Sequence, residues 1–200
     1  MILVTYFDPF GGHIANVSQE VATRLPRRDD VAIRELRTAR RDVEKQLPQW
    51  IAEIEPNAIL GLGQAQGRSV PTLERIGINL IDSQTPDNRQ EIHRDDPIVF
   101  GGPSAYFSTL PLRRILDAVR HQGLPIDLSL SAGSFMCNQA LYLMRHSAPD
   151  IPAGFLHLPL LPAQAAQTSH TPSMALNDQL TVVRITLDTI TTWLRTRQHV

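Results

Sequence analysis

Cys137 is the only cysteine among 200 residues, and its setting is the first sign of chemistry. It follows an apolar run, Ile126 to Leu130, and a small-residue loop, Ser131-Ala132-Gly133-Ser134, and it precedes a helical pattern from Asn138 to His146. A thiol at the start of a helix meets free backbone N–H groups and the positive end of the helix dipole, and both favour its anion. The same N–H groups can hold the oxyanion of an acyl-transfer intermediate. A cysteine nucleophile also needs a base, and the base needs a group that orients it. Of seven histidines, His13, His93, His121, His146, His170 and His199 fall in predicted loops, exposed faces or the tail. His157 instead ends an apolar run stopped by Pro159, at the carboxyl edge of a predicted strand, where sites form in open parallel sheets. Glu74, between a glycine-rich loop and the apolar run Ile76 to Ile81, is the candidate carboxylate. Each residue also has a plain reading: Cys137 as a small core side chain among Phe135, Met136 and Leu141, His157 as a satisfied core histidine, Glu74 as the partner of Arg75 in a surface ion pair.

Competing motifs are weaker. Gly61-x-Gly63-x-x-x-Gly67 after a strand has the look of a phosphate loop, but its spacing misses the dinucleotide pattern and Pro71 stops a long helix from following. Ser131 and Ser134 flank Gly133 without forming a Gly-x-Ser-x-Gly elbow. No group of His, Asp and Glu has metal-ligand spacing along the chain, so neither a metal nor another cofactor is expected. A single thiol excludes an intrachain disulfide and a thiolate-rich zinc site. Lys+Arg 19 against Asp+Glu 20 gives a net charge of -1, which lacks the basic excess of a nucleic-acid or anionic-membrane surface. The opening Met1 to Phe10 has no positive n-region and too short an apolar run for a signal peptide, and no apolar run reaches the length of a membrane span. A soluble cytoplasmic protein is expected.

These residues need a scaffold. A chain of 200 residues, 42% of them hydrophobic and 20% charged, fits one domain over residues 1–200 with a core that needs no staples. Candidate strands are Ile2 to Thr5, Val31 to Leu36, Ala58 to Leu62, Ile76 to Ile81, Ile126 to Leu130 and Gly154 to Leu158. They alternate with helical patterns at Asn16 to Leu25, Ala39 to Glu53, Ser104 to His121, Asn138 to His146 and Met174 to Arg195. Val43, Leu47, Trp50, Ile51 and Ile54 form one apolar stripe of the second. Pro111 predicts a kink in the third or a helix that begins near it. The alternation predicts an α/β fold, a three-layer α/β/α sandwich on a twisted, mostly parallel sheet. Pro86 to Gly102 and Pro162 to Pro172 read as loops, and the Arg-rich stretch Arg24 to Arg41, interleaved with Asp29, Asp30 and Glu35, reads as a solvated surface.

Five blocks, collinear over nearly the whole chain, carry a resemblance. They are Leu3-Val-Thr-Tyr-Phe-Asp-Pro-Phe-Gly-Gly; Gly63-Gln-Ala-Gln-Gly-Arg followed by Thr72-Leu-Glu-Arg-Ile; Pro86-Asp-Asn with Gly101-Gly-Pro-Ser-Ala-Tyr-Phe-Ser-Thr-Leu-Pro; Ser131-Ala-Gly-Ser-Phe-Met-Cys-Asn; and Gly154-Phe-Leu-His-Leu-Pro with Leu161-Pro-Ala-Gln. Together they resemble the type I pyroglutamyl peptidases, cytoplasmic cysteine peptidases that remove an N-terminal pyroglutamyl residue. The resemblance implies a phosphorylase/hydrolase-like fold, Cys137 as nucleophile, His157 as base and then acid, and Glu74 to orient the imidazole. It further implies a pyroglutamyl pocket of Phe7, Phe10, Phe135 and Met136, with Gln64, Gln84 and Thr85 also at the substrate. A small peptide is the implied partner, and a homo-oligomer, a tetramer, the implied assembly. The chain departs from the family pattern at Tyr6, where Gly is usual, at Val17-Ser18-Gln19, where Pro-Ser-Trp is usual, and at Gln84, where an Arg stands near the oxyanion. Thr85 replaces an apolar pocket residue, and the Cys-to-His spacing is a few residues shorter. A neutral amide in place of that arginine predicts a slower enzyme, since losing one such donor costs about 10²–10³ in rate.

Overall fold

Five of the six predicted apolar runs become strands of one sheet, and the sixth leaves it. The computed structural model describes residues 1–167 and 169–197; His199 lies outside them. In chain order the elements are β1 (Ile2–Phe7), α1 (Val17–Ala22), β2 (Val31–Leu36), α2 (Arg40–Ile54), β3 (Ala58–Gln64), β4 (Thr72–Glu74), β5 (Ile76–Ile78), β6 (Ala105–Phe107), α3 (Leu112–His121), β7 (Asp127–Ser129), α4 (Met136–Ser147), β8 (Ala153–Leu158), α5 (Pro162–Ala165) and α6 (Leu176–Arg197). The main sheet runs β2-β1-β3-β8-β4-β7. Only the β4–β8 pairing in it is antiparallel.

Because side chains alternate along a strand, each strand divides between two cores. Ile2, Val4, Leu60, Leu62, Leu73, Leu156 and Leu158 pack in one cluster with α1, α3 and α6. Leu3, Phe7, Ile59, Ala153 and Phe155 pack in the other with α2 and α4. The outcome is the predicted α/β fold with helices on both faces of a mostly parallel sheet.

Local chemistry sets the ends of the helices. Asn16 caps α1 by accepting the Ser18 N–H at 3.0 Å, as its type predicts. Ala39 has no side chain to cap α2; Asp87, distant in sequence, accepts the Arg40 N–H at 3.0 Å instead. The α3 helix begins directly after Pro111. The residues before it, expected to be helical from Ser104, form β6, since proline cannot continue a helix backward through its ring.

Four expectations need correction. The run Ile76 to Ile81 is not a strand of the main sheet: β4 occupies that place, and β5 turns away to pair antiparallel with β6. Asn138, wholly buried, holds it there, accepting the Ile78 N–H at 2.8 Å and donating to the carbonyls of Ile78 and Leu80 at 2.9 Å. The loop at Pro162 begins with the helical turn α5, because Gln164 reaches back to accept the Leu161 N–H at 3.0 Å. The Arg24 to Arg41 stretch is partly internal: Leu36, Thr38 and Ala39 are buried, and Arg28 bridges Asp30, Asp188 and Thr191. His93 lies in a loop but is buried, enclosed by Asp87 and Asp96.

Candidate active site

Strand register brings the three candidate reactive groups to one face of the sheet. His157 on β8 is paired with Gly63 on β3 and with Thr72 on β4. Glu74, two residues along β4, is paired with Phe155, so its carboxylate and the His157 imidazole are diagonal neighbours on that face. His157 Nδ1 donates to Glu74 Oε1 at 2.8 Å. Both side chains are buried, and Glu74 Oε2 has no hydrogen-bond partner among the described residues. Nδ1 is thereby committed as the donor, which leaves Nε2 for Cys137.

Cys137 is half-buried in the first turn of α4, one residue inside the helix rather than just before it. Among the described residues no side chain caps this helix, which leaves amides of its first turn open at the end where the sulfur stands. Gly63 makes room for it: a β-carbon at that position would lie 2.7 Å from Cys137 Sγ and 2.8 Å from the Phe155 ring. The Gly61-x-Gly63 pattern that resembled a phosphate loop is therefore a pair of strand positions kept empty. At Gly61 the excluded volume is occupied by Phe155, 2.3 Å from where a β-carbon would stand.

Burial opposes a charge on His157, but the negative charge of the Cys137 sulfur, a hydrogen bond to it, and the Glu74 carboxylate outweigh that, raising the imidazole from 6.5 to about 9. The arrangement favours an imidazolium at neutral pH, beside the Cys137 sulfur.

The ion partner of Glu74 is Arg68, not Arg75. Arg68 donates to Glu74 Oε1 at 3.0 Å, to Ser129 Oγ at 3.2 Å and to the Ser131 carbonyl at 3.0 Å. Arg75, the next residue on from Glu74, lines a groove with Phe107, Leu128 and Trp193. Sequence reasoning passed over Arg68 because it stands six residues before Glu74. Its signal was Gly67, whose φ of +87° makes the sharp turn that returns the arginine to β4.

The remaining candidates divide. The Phe10 and Phe135 rings are 6.0 Å apart, and Phe7 and Met136 lie buried in the cluster against which Phe135 packs. Thr85 is exposed, its methyl 3.9 Å from where Gly11 would carry a β-carbon. Its loop is tied to the cysteine loop by the Asp82 N–H to the Ser134 carbonyl at 2.8 Å, and by Ser134 Oγ to the Asp82 carbonyl at 2.7 Å. Gln84 is exposed on the same loop. The Gln64 side chain faces the opposite side of β3, where its Oε1 accepts from Val17 N–H at 3.1 Å and Gln164 Nε2 at 3.0 Å. Tyr6 also packs on that opposite side, near Glu35, so this departure from the family pattern does not touch the site.

Away from the site, folding gathers Asp87, Glu91 and His93 with ligand atoms within 4.8 Å of one another, which spacing along the chain had not suggested. Asp87 is engaged by the backbone N–H groups of Arg40, Arg89 and Glu91, and Glu91 pairs with Arg41. The cluster works as a cap for α2.

A sheet covered by helices on both faces, with a thiol at a helix start beside a buried imidazole and carboxylate, is the layout of a thiol hydrolase. Comparison with known proteins narrows this class. A profile described as pyroglutamyl peptidase matches residues 1–193. Pyrrolidone-carboxylate peptidase 2 of Photorhabdus laumondii is 40% identical over 94% of this chain and 89% of its own length. The solved pyrrolidone carboxyl peptidases of Thermococcus litoralis and Pyrococcus furiosus superpose with TM-scores of 0.92 and 0.89 at 30% and 33% identity. The first match covers 98% of this chain and 95% of the other, the second 96% and 99%. The chain belongs to the pyroglutamyl peptidase family. Among its described residues no helix is long and apolar enough to cross a membrane.

Proposed function

We propose that this chain is a cysteine peptidase that removes an N-terminal pyroglutamyl residue from peptides, with Cys137, His157 and Glu74 as its catalytic groups. The observation that carries the reading is the 2.8 Å contact of His157 Nδ1 with a wholly buried Glu74, on an imidazole whose other side meets Cys137.

The Cys137 thiolate attacks the pyroglutamyl carbonyl carbon, forming a C–S bond and an oxyanion that faces the open amides of α4. His157 gives its proton to the departing nitrogen, the C–N bond breaks, and a thioester remains. His157 then takes a proton from water as the hydroxide attacks the thioester carbonyl, releasing pyroglutamate and returning the thiolate. Glu74 accepts the Nδ1 proton's hydrogen bond throughout, holding the ring in one orientation and favouring its charged form.

Substrate selection follows from the pocket. The lactam ring is small, flat and uncharged, which suits a surface made by the Phe10 and Phe135 rings, 6.0 Å apart, over the buried Phe7 and Met136. A free terminal ammonium would be desolvated there without a partner, at a cost of several kcal/mol. Gln84 and Thr85 approach the site from the loop tied to Ser134, whereas the Gln64 side chain, turned to Val17 and Gln164 on the other face of the sheet, takes no part in the pocket. Action in the cytoplasm and assembly as a homo-oligomer complete the family reading, with Phe107 and Phe100 among the exposed apolar side chains that assembly could cover.

The test is release of a fluorescent amine from a pyroglutamyl amide. Turnover is expected from the native chain and a loss on the order of 10³-fold or more in Cys137→Ala. Persisting turnover in that variant would overturn the assignment.

A further inference from the structure

We propose that Arg68 is a positioning residue for this site: its guanidinium holds the Glu74 carboxylate in place and ties it to the loop that presents the nucleophile. The proposal rests on the catalytic reading above and adds to it a group that touches neither substrate nor the reacting atoms.

Three observations carry it. First, Glu74 is wholly buried, and its Oε2 has no hydrogen-bond partner among the described residues. A carboxyl group that has lost water and left one oxygen unpaired depends on the cationic groups beside it to offset its burial. Second, both groups facing Glu74 converge on Oε1: His157 from β8 at 2.8 Å and Arg68 from the β3–β4 loop at 3.0 Å. His157 changes its proton during the reaction, whereas Arg68 does not, so Arg68 is the constant half of the pair. Third, the same nitrogen of Arg68 also reaches Ser129 Oγ at 3.2 Å and the Ser131 carbonyl at 3.0 Å. Ser129 Oγ in turn donates to the Ser131 carbonyl and accepts the Ser131 N–H. The guanidinium therefore joins the orienting carboxylate to the start of the segment Ser131 to Phe135, which delivers Cys137.

Electrostatics gives this role a signature that loosened packing lacks. The charged and titratable groups of the site are Cys137 from α4, His157 from β8, Glu74 from β4 and Arg68. In the reactive state the first three carry charges of minus, plus and minus, and Arg68 makes the set neutral. Removing one fixed positive charge leaves a net negative, so every proton in the set binds more tightly. Both limbs of the pH profile must then move to higher pH together, each by on the order of one unit.

The experiment measures kcat and KM for a pyroglutamyl amide, and the rate of Cys137 alkylation by iodoacetamide, from about pH 5 to 10 in the native chain, Arg68→Met and Arg68→Lys. In Arg68→Met both limbs are expected to rise by about one unit while kcat falls roughly 10–100-fold and KM changes little. Arg68→Lys keeps the charge without the fork, so its limbs should coincide with the native ones and its kcat should lie between the other two. Should Arg68→Met fail to fold, Arg68→Gln supplies the neutral comparison. Limbs that stay in place in the neutral variant, or that move equally in Arg68→Lys, would overturn the proposal. Alkylation needs no substrate, so the Cys137–His157 pair is read even if the native chain does not turn over the amide. Arg68 can thus fail while the peptidase reading stands, and the reverse.

Discussion

Alternate residues of β3, β4 and β8 face opposite sides of the sheet, and the two sides hold different chemistry. Toward α1, α3 and α6 stand Leu60, Leu62, Leu73, Leu156 and Leu158, all fully buried. Each contributes about 1.5–3 kcal/mol through burial. Toward α2 and α4, the same strands present Gly61, Gly63, Glu74, Phe155 and His157. That side gives up side-chain volume at two positions and buries two ionisable groups at two others. The contrast shows how one sheet divides its work: one face stabilises the strands, and the other uses their rigidity to hold a thiol, an imidazole and a carboxylate in place.

Matched substitutions on the two faces can break this comparison. The largest effect is expected for Gly63→Ala, whose new methyl must displace Cys137 Sγ or the Phe155 ring. Turnover of a pyroglutamyl amide should fall by roughly 10²-fold or more; native kcat in this variant would mean that the sulfur has room the geometry denies. Gly154→Ala is its partner on the leucine face, where a β-carbon would lie 2.5 Å from Ser108 Oγ and 2.8 Å from Leu110. Overpacking there should cost about 1–3 kcal/mol in denaturant unfolding while kcat of the folded enzyme stays native. If the two variants lose kcat alike, the division of labour between the faces is wrong.

A smaller effect sharpens the polar side alone. Burial lowers the His157 pKa, whereas Cys137 and Glu74 raise it, to a net value of about 9. Imidazolium is the form that protonates the leaving nitrogen, so kcat/KM should fall as pH rises through about 9. Glu74→Gln removes one of the raising charges and should bring that alkaline limb down, by on the order of one unit. A limb that stays at its native pH would show that Glu74 orients the ring without stabilising its charge. The expected direction is opposite to that for loss of Arg68, which makes the two variants a consistency test of the same electrostatic set.

Much of this was legible in the residues. The apolar runs identified β1, β2, β3, β7 and β8, since period and composition are local properties of a strand. The helix start at Cys137 was evident from the small-residue loop before it. The run Ile76 to Ile81 misled because its composition suits a sheet strand, while its place was decided by Asn138, a residue 60 positions later. The Gly61-x-Gly63 motif was visible and a phosphate loop was excluded by its spacing, but its actual purpose was not legible, because the reason for a missing side chain is the neighbour that fills the space.

The sequence by itself determined an α/β chain with a single thiol at a helix start, and the blocks that place it in its family. Only the tertiary structure decided that Arg68 rather than Arg75 meets Glu74, that Tyr6 and the Gln64 side chain face away from the sulfur, and that Gly63 is empty so that Cys137 can approach. Residue type and spacing specify local conformation and what each group can do. Which groups meet is set by strand register and by packing between distant segments, and a spacing of six residues or of sixty carries no distance until the sheet is formed.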